Sequence, residues 1–285
     1  MVAWKAASSI IVVSSTTGRV LVMRRGPTAK FMPNAVVFPG GVAITADEKM
    51  GPPTKVAALR ELFEETGLLI GQNESASTSS ELQDLQLKTR DNPKLFKLAC
   101  PDPPVNDLIE WNTWLTPSSY KQRFMTSFFL VRVNGEPDIR ICEKEMSHYS
   151  WSDPKDCLLK GSTGEVILPP PQVYELSRIA QTPTEKLHLF GNTTHIFCPQ
   201  TITWPDGKKI TNVLPGDHLY IENDCFKQPP RSLTEDEVRV DLHKATHRQE
   251  FKSKPLYALC RLYMHNLPEK YRTALHQFEA DTSKL

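Results

Sequence analysis

Glu61, Glu64 and Glu65 stand at offsets i, i+3 and i+4. On a helix those offsets share a face, so the three carboxylates are neighbours. Carboxylates this close repel one another, and without a partner one of them tends to hold its proton. A hard divalent cation, Mg2+ or Mn2+, resolves the conflict, because it takes oxygen ligands and often shares them with substrate phosphates. Arg60 precedes Glu64 by four residues and is placed to orient it through a charge-assisted hydrogen bond. The competing reading is an ordinary solvated helix face, since Glu is common in helices. The surrounding residues decide between the two.

The helix that carries these groups is expected to begin at Lys55, with Thr54 as its cap and Gly67 as its stop. Val56, Leu59, Leu62 and Phe63 fall on the side away from the acids, while Ala57 and Ala58 flank them and leave room for an approaching group. Upstream, Ser8 to Val13, Val20 to Met23 and Ala35 to Phe38 read as strands, the last ended by Pro39-Gly40-Gly41. Downstream, residues 72 to 80 form a polar loop. Residues 81 to about 120 read as an inserted helical segment anchored by Trp111, Trp114 and Leu115. Strands return at Thr126 to Val133 and around His148 to Trp151, and a helix runs from near Pro171 to about Ala180. Residues 193 to 222 alternate as a hairpin does, with Trp204-Pro205-Asp206-Gly207 at its turn. Residues 227 to 252 are charged and poor in large apolar groups, so a loose connection is expected. Leu256 to Leu267 and Tyr271 to Phe278 read as closing helices. The whole is a mixed α/β domain over residues 1–185, with a helical insertion at about 72–120, and a C-terminal extension over 186–285.

Bulk properties narrow the function classes. Across 285 residues, 39% are hydrophobic and 24% charged, as in soluble globular proteins. A formal net charge of +1 implies no general attraction to nucleic acid or anionic membrane, so an anionic ligand must be held by local charge. The longest strongly apolar run near the N-terminus, Ile10 to Val13, is too short for a signal-peptide core or a membrane span. The six cysteines are too scattered for a zinc knuckle or a redox pair and read as free thiols.

Residues 60 to 68, Arg-Glu-Leu-Phe-Glu-Glu-Thr-Gly-Leu, resemble the second half of the Nudix box, Arg-Glu-U-x-Glu-Glu-x-Gly-U with U aliphatic, at every specified position. A chance match to its five fixed residues is on the order of one in 10⁴. Pro39-Gly40-Gly41 is similar to the family as well, and the resemblance covers residues 7 to about 160. It implies an α/β/α sandwich with the box as loop–helix–loop, and hydrolysis of a nucleoside diphosphate linked to another moiety. Glu64 and Glu65 are then the chief metal ligands, and Glu61 a further ligand or the base that activates water. The Gly41 carbonyl and a downstream acid, Glu143 or Glu145, are further candidates, although Glu143 and Glu145 read more simply as solvated turn residues. Bound metal would neutralise the diphosphate and lower the pKa of a bound water. One departure stands out. The family spacing Gly-x5-Glu-x7-Arg puts thirteen residues between Gly and Arg, whereas eighteen separate Gly41 from Arg60. The position eight before Arg60 is Pro52, and the nearest acid, Glu48, is misplaced.

The substrate is read from residues 21 to 41. Arg25, Lys30 and Asn34 before Phe38-Pro39-Gly40-Gly41 resemble a loose form of the signature of coenzyme A-cleaving Nudix enzymes, with Lys30 in place of an Arg and Asn34 in place of a Gly. Lys keeps the charge but not the bidentate fork, and Asn tolerates left-handed backbone. A surface basic cluster beside a turn is the plainer alternative. The sequence ends in Ser283-Lys284-Leu285, which matches the peroxisomal address. Together with WLTP at 114–117 and PPPQVYEL at 169–176, these features resemble the peroxisomal coenzyme A diphosphatases. That resemblance implies hydrolysis of coenzyme A or its esters to 3',5'-ADP and (acyl-)4'-phosphopantetheine, a matrix location and contact with the import receptor. The alternatives are another Nudix substrate, such as NADH, ADP-ribose or a capped nucleotide, and a Nudix-fold binding module without catalysis.

Overall fold

The structure, a computed structural model, describes residues 4–29, 32–71, 79–141, 146–191 and 195–271. The chain forms two compact units, one of Lys5–Asn112 and Met125–Asp153, the other of Met1–Trp4, Thr113–Phe124 and Pro154–Leu285. The division does not fall at the expected residue 185.

The unit that carries the acidic helix contains strands β1 (Lys5–Ser14), β2 (Val20–Arg25), β3 (Val36–Val37) and β4 (Gly40–Val42), then helices α1 (Pro53–Thr66), α2 (Ser80–Asp91) and α3 (Phe96–Ala99). It continues through the first residues of β5 (Ile109–Leu115), most of β6 (Phe124–Val133), and β7 (Met146–Ser152). The strand order is β3-β2-β1-β6-β5, with β4 beside β1 and β7 beside β2. Ile10 to Val13 of β1 are wholly buried, as a strand covered on both faces requires. Ile10, Val12, Leu21, Phe129 and Val131 meet Val56, Ala58, Leu59, Leu62 and Phe63 of α1 in one core, which Phe96 of α3 joins.

Helix α1 starts earlier than expected and without a side-chain cap: Pro52 is the N-cap and Pro53 fills the first turn. Proline suits that position, since its preset φ is helical and its missing N–H would have no partner there. Gly67 ends the helix as expected, at φ 74 with its N–H bonded to the Phe63 carbonyl. Ala57 and Ala58 do not leave open space. Both are wholly buried, Ala58 within the core.

The inserted segment is helical only in its first part. Ser79 caps α2 by accepting from the Leu82 amide. Trp111, Trp114 and Leu115 then lie on strand β5. Their spacing also suits a helix, but a run of Ile, Trp and Thr fits a half-buried pleated strand.

The other unit contains α4 (Pro154–Thr163), α5 (Pro170–Ala180), β8 (Ile196–Phe197), β9 (Gln200–Thr203), β10 (Lys209–Val213), β11 (Arg231–Ser232), α6 (Glu235–Val238), β12 (Thr246–Lys252) and β13 (Arg261–His265). Helix α5 belongs here because Tyr174 packs edge-on against Trp114 and Phe197, and the Trp114 indole N–H donates to Glu175 at 2.7 Å. The expected hairpin is β9–β10, closed at Trp204–Gly207. Two expectations fail. Residues 246–252 are a strand rather than a loose connection, and 261–265 a strand paired with it rather than a helix. Their polar composition misleads because Asp217 is buried and takes Arg248 through Nε and Nη2, both at 2.7 Å, and the His247 amide at 2.8 Å. The second closing helix lies outside the described residues after Tyr271. Cys100, Cys157, Cys198, Cys225 and Cys260 are free thiols. Among the described residues no helix is long and apolar enough to cross a membrane.

Candidate active site

The acidic face of α1 is not a solvated one. Glu65 is 3% exposed, Glu64 9% and Arg60 2%. Charges so withdrawn from water need partners, and one guanidinium supplies most of them. Arg60 Nη1 donates to Glu61 Oε1 at 2.8 Å and to Glu64 Oε1 at 3.1 Å. Its Nε and Nη2 donate to Asp47 Oδ1 and Oδ2 at 2.9 and 3.1 Å, and Nη2 also reaches the Val42 carbonyl at 3.0 Å. Glu65 turns the other way and accepts from the Gly40 amide at 3.1 Å.

Asp47 was missed in the sequence, and the motif contained the signal. Counting back from Arg60 reaches Pro52; counting forward from Gly41 reaches an acid at Gly-x5-Asp, which is Asp47. The five additional residues therefore fall between Asp47 and Arg60, and the family's acid position is filled one methylene shorter. Asp47 opens a 3₁₀ turn, is 1% exposed, and accepts the Ile44 amide at 2.9 Å.

Gly40 and Gly41 let strand β4 lie against these carboxylates. The strand pairs with β1 at Ser8↔Gly41 and Ser9↔Gly40. A Cβ at Gly40 would stand 2.3 Å from the Ser8 carbonyl oxygen, and one at Gly41 would stand 2.4 Å from Glu61 Oε1. At Gly40 a side chain would run into backbone, and at Gly41 it would push the Glu61 carboxylate out of its place.

Burial, followed by the charge of Glu61, pushes the Glu64 carboxyl up to about 7, against the opposing pull of Arg60. Burial disfavours the charge on Arg60, but Asp47 and the carboxylates of Glu61 and Glu64 outweigh it and raise its pKa. Among the described residues no three His, Cys, Asp or Glu side chains are gathered as a ready metal site. The carboxylates point to Arg60 and to Gly40 instead. The donor set nevertheless suits a hard divalent cation. It is all oxygen, and Asp47, Glu61 and Glu64 share the single Arg60 guanidinium, which leaves negative charge that an added cation would relieve. Glu61, Glu64 and Glu65 are the residues that would hold it.

The structure brings Arg60, Glu61, Glu64, Glu65 and Gly41 together. Arg25 is outside that network. It ends β2, its amide bonds to the Ala35 carbonyl at 2.9 Å, and its Nε is buried with no hydrogen-bond partner among the described residues. Asn34 has φ 62, the left-handed conformation that the substitution for Gly requires. Lys30, Glu143, Glu145 and Ser283-Lys284-Leu285 lie outside the described residues.

The model of the NUDT19 Nudix domain matches residues 53–179. The chain is 41% identical to putative nudix hydrolase 7 of Caenorhabditis elegans over 285 aligned residues, which cover 99% of this chain and 97% of that one. It is 27% identical to the human acyl-coenzyme A diphosphatase NUDT19, covering 73% of this chain and 74% of that one. Against the Xenopus laevis protein of the same name it is 28% identical, covering 72% of each. In fold it matches a Nudix hydrolase from Alicyclobacillus acidocaldarius with a TM-score of 0.57 and 24% identity, covering 66% of this chain and 96% of that one.

Proposed function

The chain belongs to the Nudix hydrolase family, and we propose that it hydrolyses the diphosphate bond of coenzyme A or acyl-coenzyme A, with Mg2+ or Mn2+, to 3',5'-ADP and (acyl-)4'-phosphopantetheine. The observation that carries the reaction is the buried carboxylate face of α1, in which Asp47 fixes Arg60 and Arg60 fixes Glu61 and Glu64. The likeness to acyl-coenzyme A diphosphatases supports the substrate. So does the resemblance of Arg25, Lys30 and Asn34 before Phe38-Pro39-Gly40-Gly41 to the signature of coenzyme A-cleaving Nudix enzymes.

Bound to the three glutamates, the divalent cation would offset the charge of the diphosphate and make water more acidic. The protein's own groups do the rest. Arg60 holds Glu61 and Glu64 in register. The Gly40 amide holds Glu65. Arg25 and Lys30 would meet the substrate's phosphates, and Lys30 would do so as a point charge.

The test is incubation with free and acylated coenzyme A, 3'-dephospho-coenzyme A, NADH and ADP-ribose, each with Mg2+ or Mn2+, and mass-spectrometric identification of products. Release of 3',5'-ADP from coenzyme A, in preference to cleavage of the others, is expected. Faster turnover of NADH or ADP-ribose would replace the substrate, and no turnover of any of them would favour a binding module. Ser283-Lys284-Leu285 supports the peroxisomal matrix as the place of action, reached through the import receptor. An N-terminally tagged protein should be punctate with a peroxisomal marker and become diffuse when these three residues are removed. A diffuse full-length protein would exclude that address.

A further inference from the structure

The last carbonyls of a helix have no partner within it. In α1, the Phe63 carbonyl accepts the Gly67 amide at 2.8 Å and the Thr66 carbonyl accepts the Arg140 amide at 2.9 Å. The Glu64 carbonyl is served differently, by two side chains of α2. Arg90 Nε donates to it at 2.8 Å and Gln86 Nε2 at 3.2 Å. The Gln86 amide gives its other N–H to the Arg140 carbonyl at 3.0 Å. Gln86 is 1% exposed, and Gly67 makes space for it, since a Cβ there would stand 3.2 Å from Gln86 Oε1. Glu64 is therefore held at both ends, its carboxylate by Arg60 and its carbonyl by the inserted helix.

From this we infer that Arg90 and Gln86 are positioning residues: through the Glu64 carbonyl they hold the last turn of α1, and with it the backbone of Glu61, Glu64 and Glu65, in the place from which these carboxylates would take the cation. A guanidinium at a helix C-terminus complements the helix dipole, and its hydrogen bond to a carbonyl is stronger than that of a neutral donor. Gln86 ties the same turn to the backbone at Arg140. The inserted helix thus acts on the site without touching the substrate. The inference rests on the proposed metal-dependent reaction.

The experiment compares wild type with Arg90→Met, which keeps the aliphatic stem and loses the donors, Arg90→Lys, which restores a cationic donor, and Gln86→Met. Two readouts are taken: Mn2+ binding followed by electron paramagnetic resonance without substrate, and metal-dependent turnover of coenzyme A. Arg90→Met should weaken Mn2+ binding and lower kcat by roughly tenfold, in the range seen for residues that support metal ligands. KM should stay within about twofold, because the substrate is not touched. Arg90→Lys should recover most of both losses. Wild-type Mn2+ affinity and kcat in Arg90→Met, even with a lower melting temperature, would overturn the inference and leave Arg90 a purely structural contact. If Gln86→Met fails to fold, the Arg90 pair decides alone. If wild type binds Mn2+ but leaves coenzyme A intact, the substrate proposal fails while the Mn2+ affinities still decide this one. A wild type that takes up no Mn2+ would end both.

Discussion

Asp47 grips Arg60 with both of its oxygens, Oδ1 on Nε at 2.9 Å and Oδ2 on Nη2 at 3.1 Å, and both side chains are 2% exposed. Without the Asp47 charge, Arg60 would keep Glu61 and Glu64 as partners, so the cost is that of weakened charge-assisted hydrogen bonds rather than of an unpaired buried charge. Asp47→Asn should therefore lower unfolding stability by about 1.5–3 kcal/mol in urea titrations. It should also lower kcat, because Arg60 then shifts its hold on Glu61 and Glu64. A variant with the wild-type midpoint and turnover would show that the pair supports neither fold nor site.

Glu64→Gln and Glu65→Gln each remove a negative charge while keeping side-chain size. Each should cost at least about 10²-fold in kcat at saturating Mg2+ if the residue holds the cation, with the circular dichroism spectrum unchanged. Near wild-type turnover in either variant would remove that residue from the ligand set.

The Glu64 carboxyl, raised from an ordinary 4.5 to about 7 by burial and by the charge of Glu61, makes the metal-free protein pH-sensitive. The folded state holds this proton more tightly than the unfolded chain does. The associated stability is fully present below about 4.5 and is lost as pH rises through about 7. Relative to Glu64→Gln, wild type in chelator should lose on the order of 3 kcal/mol across that window. Urea unfolding at a series of pH values checks this. A difference that stays flat with pH would mean that Glu64 ionises as an ordinary carboxylate, and added Mg2+ or Mn2+ should flatten it by stabilising the charged form.

Arg25→Ala and Lys30→Ala should weaken coenzyme A more than its 3'-dephospho analogue, by roughly tenfold against a smaller loss, as expected when a charged donor to a phosphate is removed. Inhibition constants for the two ligands decide the matter. Equal losses would assign these residues to some other part of the substrate.

Helix α1 was legible because its last turn, its glycine stop and its acidic offsets lie within nine consecutive residues. The exposure of its acidic face was not, since an i, i+3, i+4 pattern describes a solvated surface and a buried site alike. Asp47 is hidden because the additional residues separate it from Arg60, so spacing from Arg60 leads to Pro52 and only spacing from Gly41 leads to the acid. Trp111 and Leu115 misled because four-residue spacing suits a helix and half-buried strands also take aromatics. Thr246 to Gln249 misled because a polar composition reads as solvated, and only the fold shows Asp217 waiting beneath Arg248. Each failure has the same origin: local pattern cannot show which distant partner makes a polar residue suitable for the interior.

The Asp47–Arg60 pair also bears on how far the connecting segment can change. Twelve residues join the two, where the family spacing has seven. Seven of those twelve, 53–59, already lie in α1, so the variable stretch is 48–52, and adding residues there costs only the entropy of closing a larger loop, about 0.6 kcal/mol for each doubling of length. Losing the charge-assisted hydrogen bonds of the pair would cost more than that. Residues 48–52, ahead of α1, can therefore lengthen or shorten over generations with little loss of stability, provided that an acid remains six positions after Gly41 and a guanidinium remains one position before Glu61.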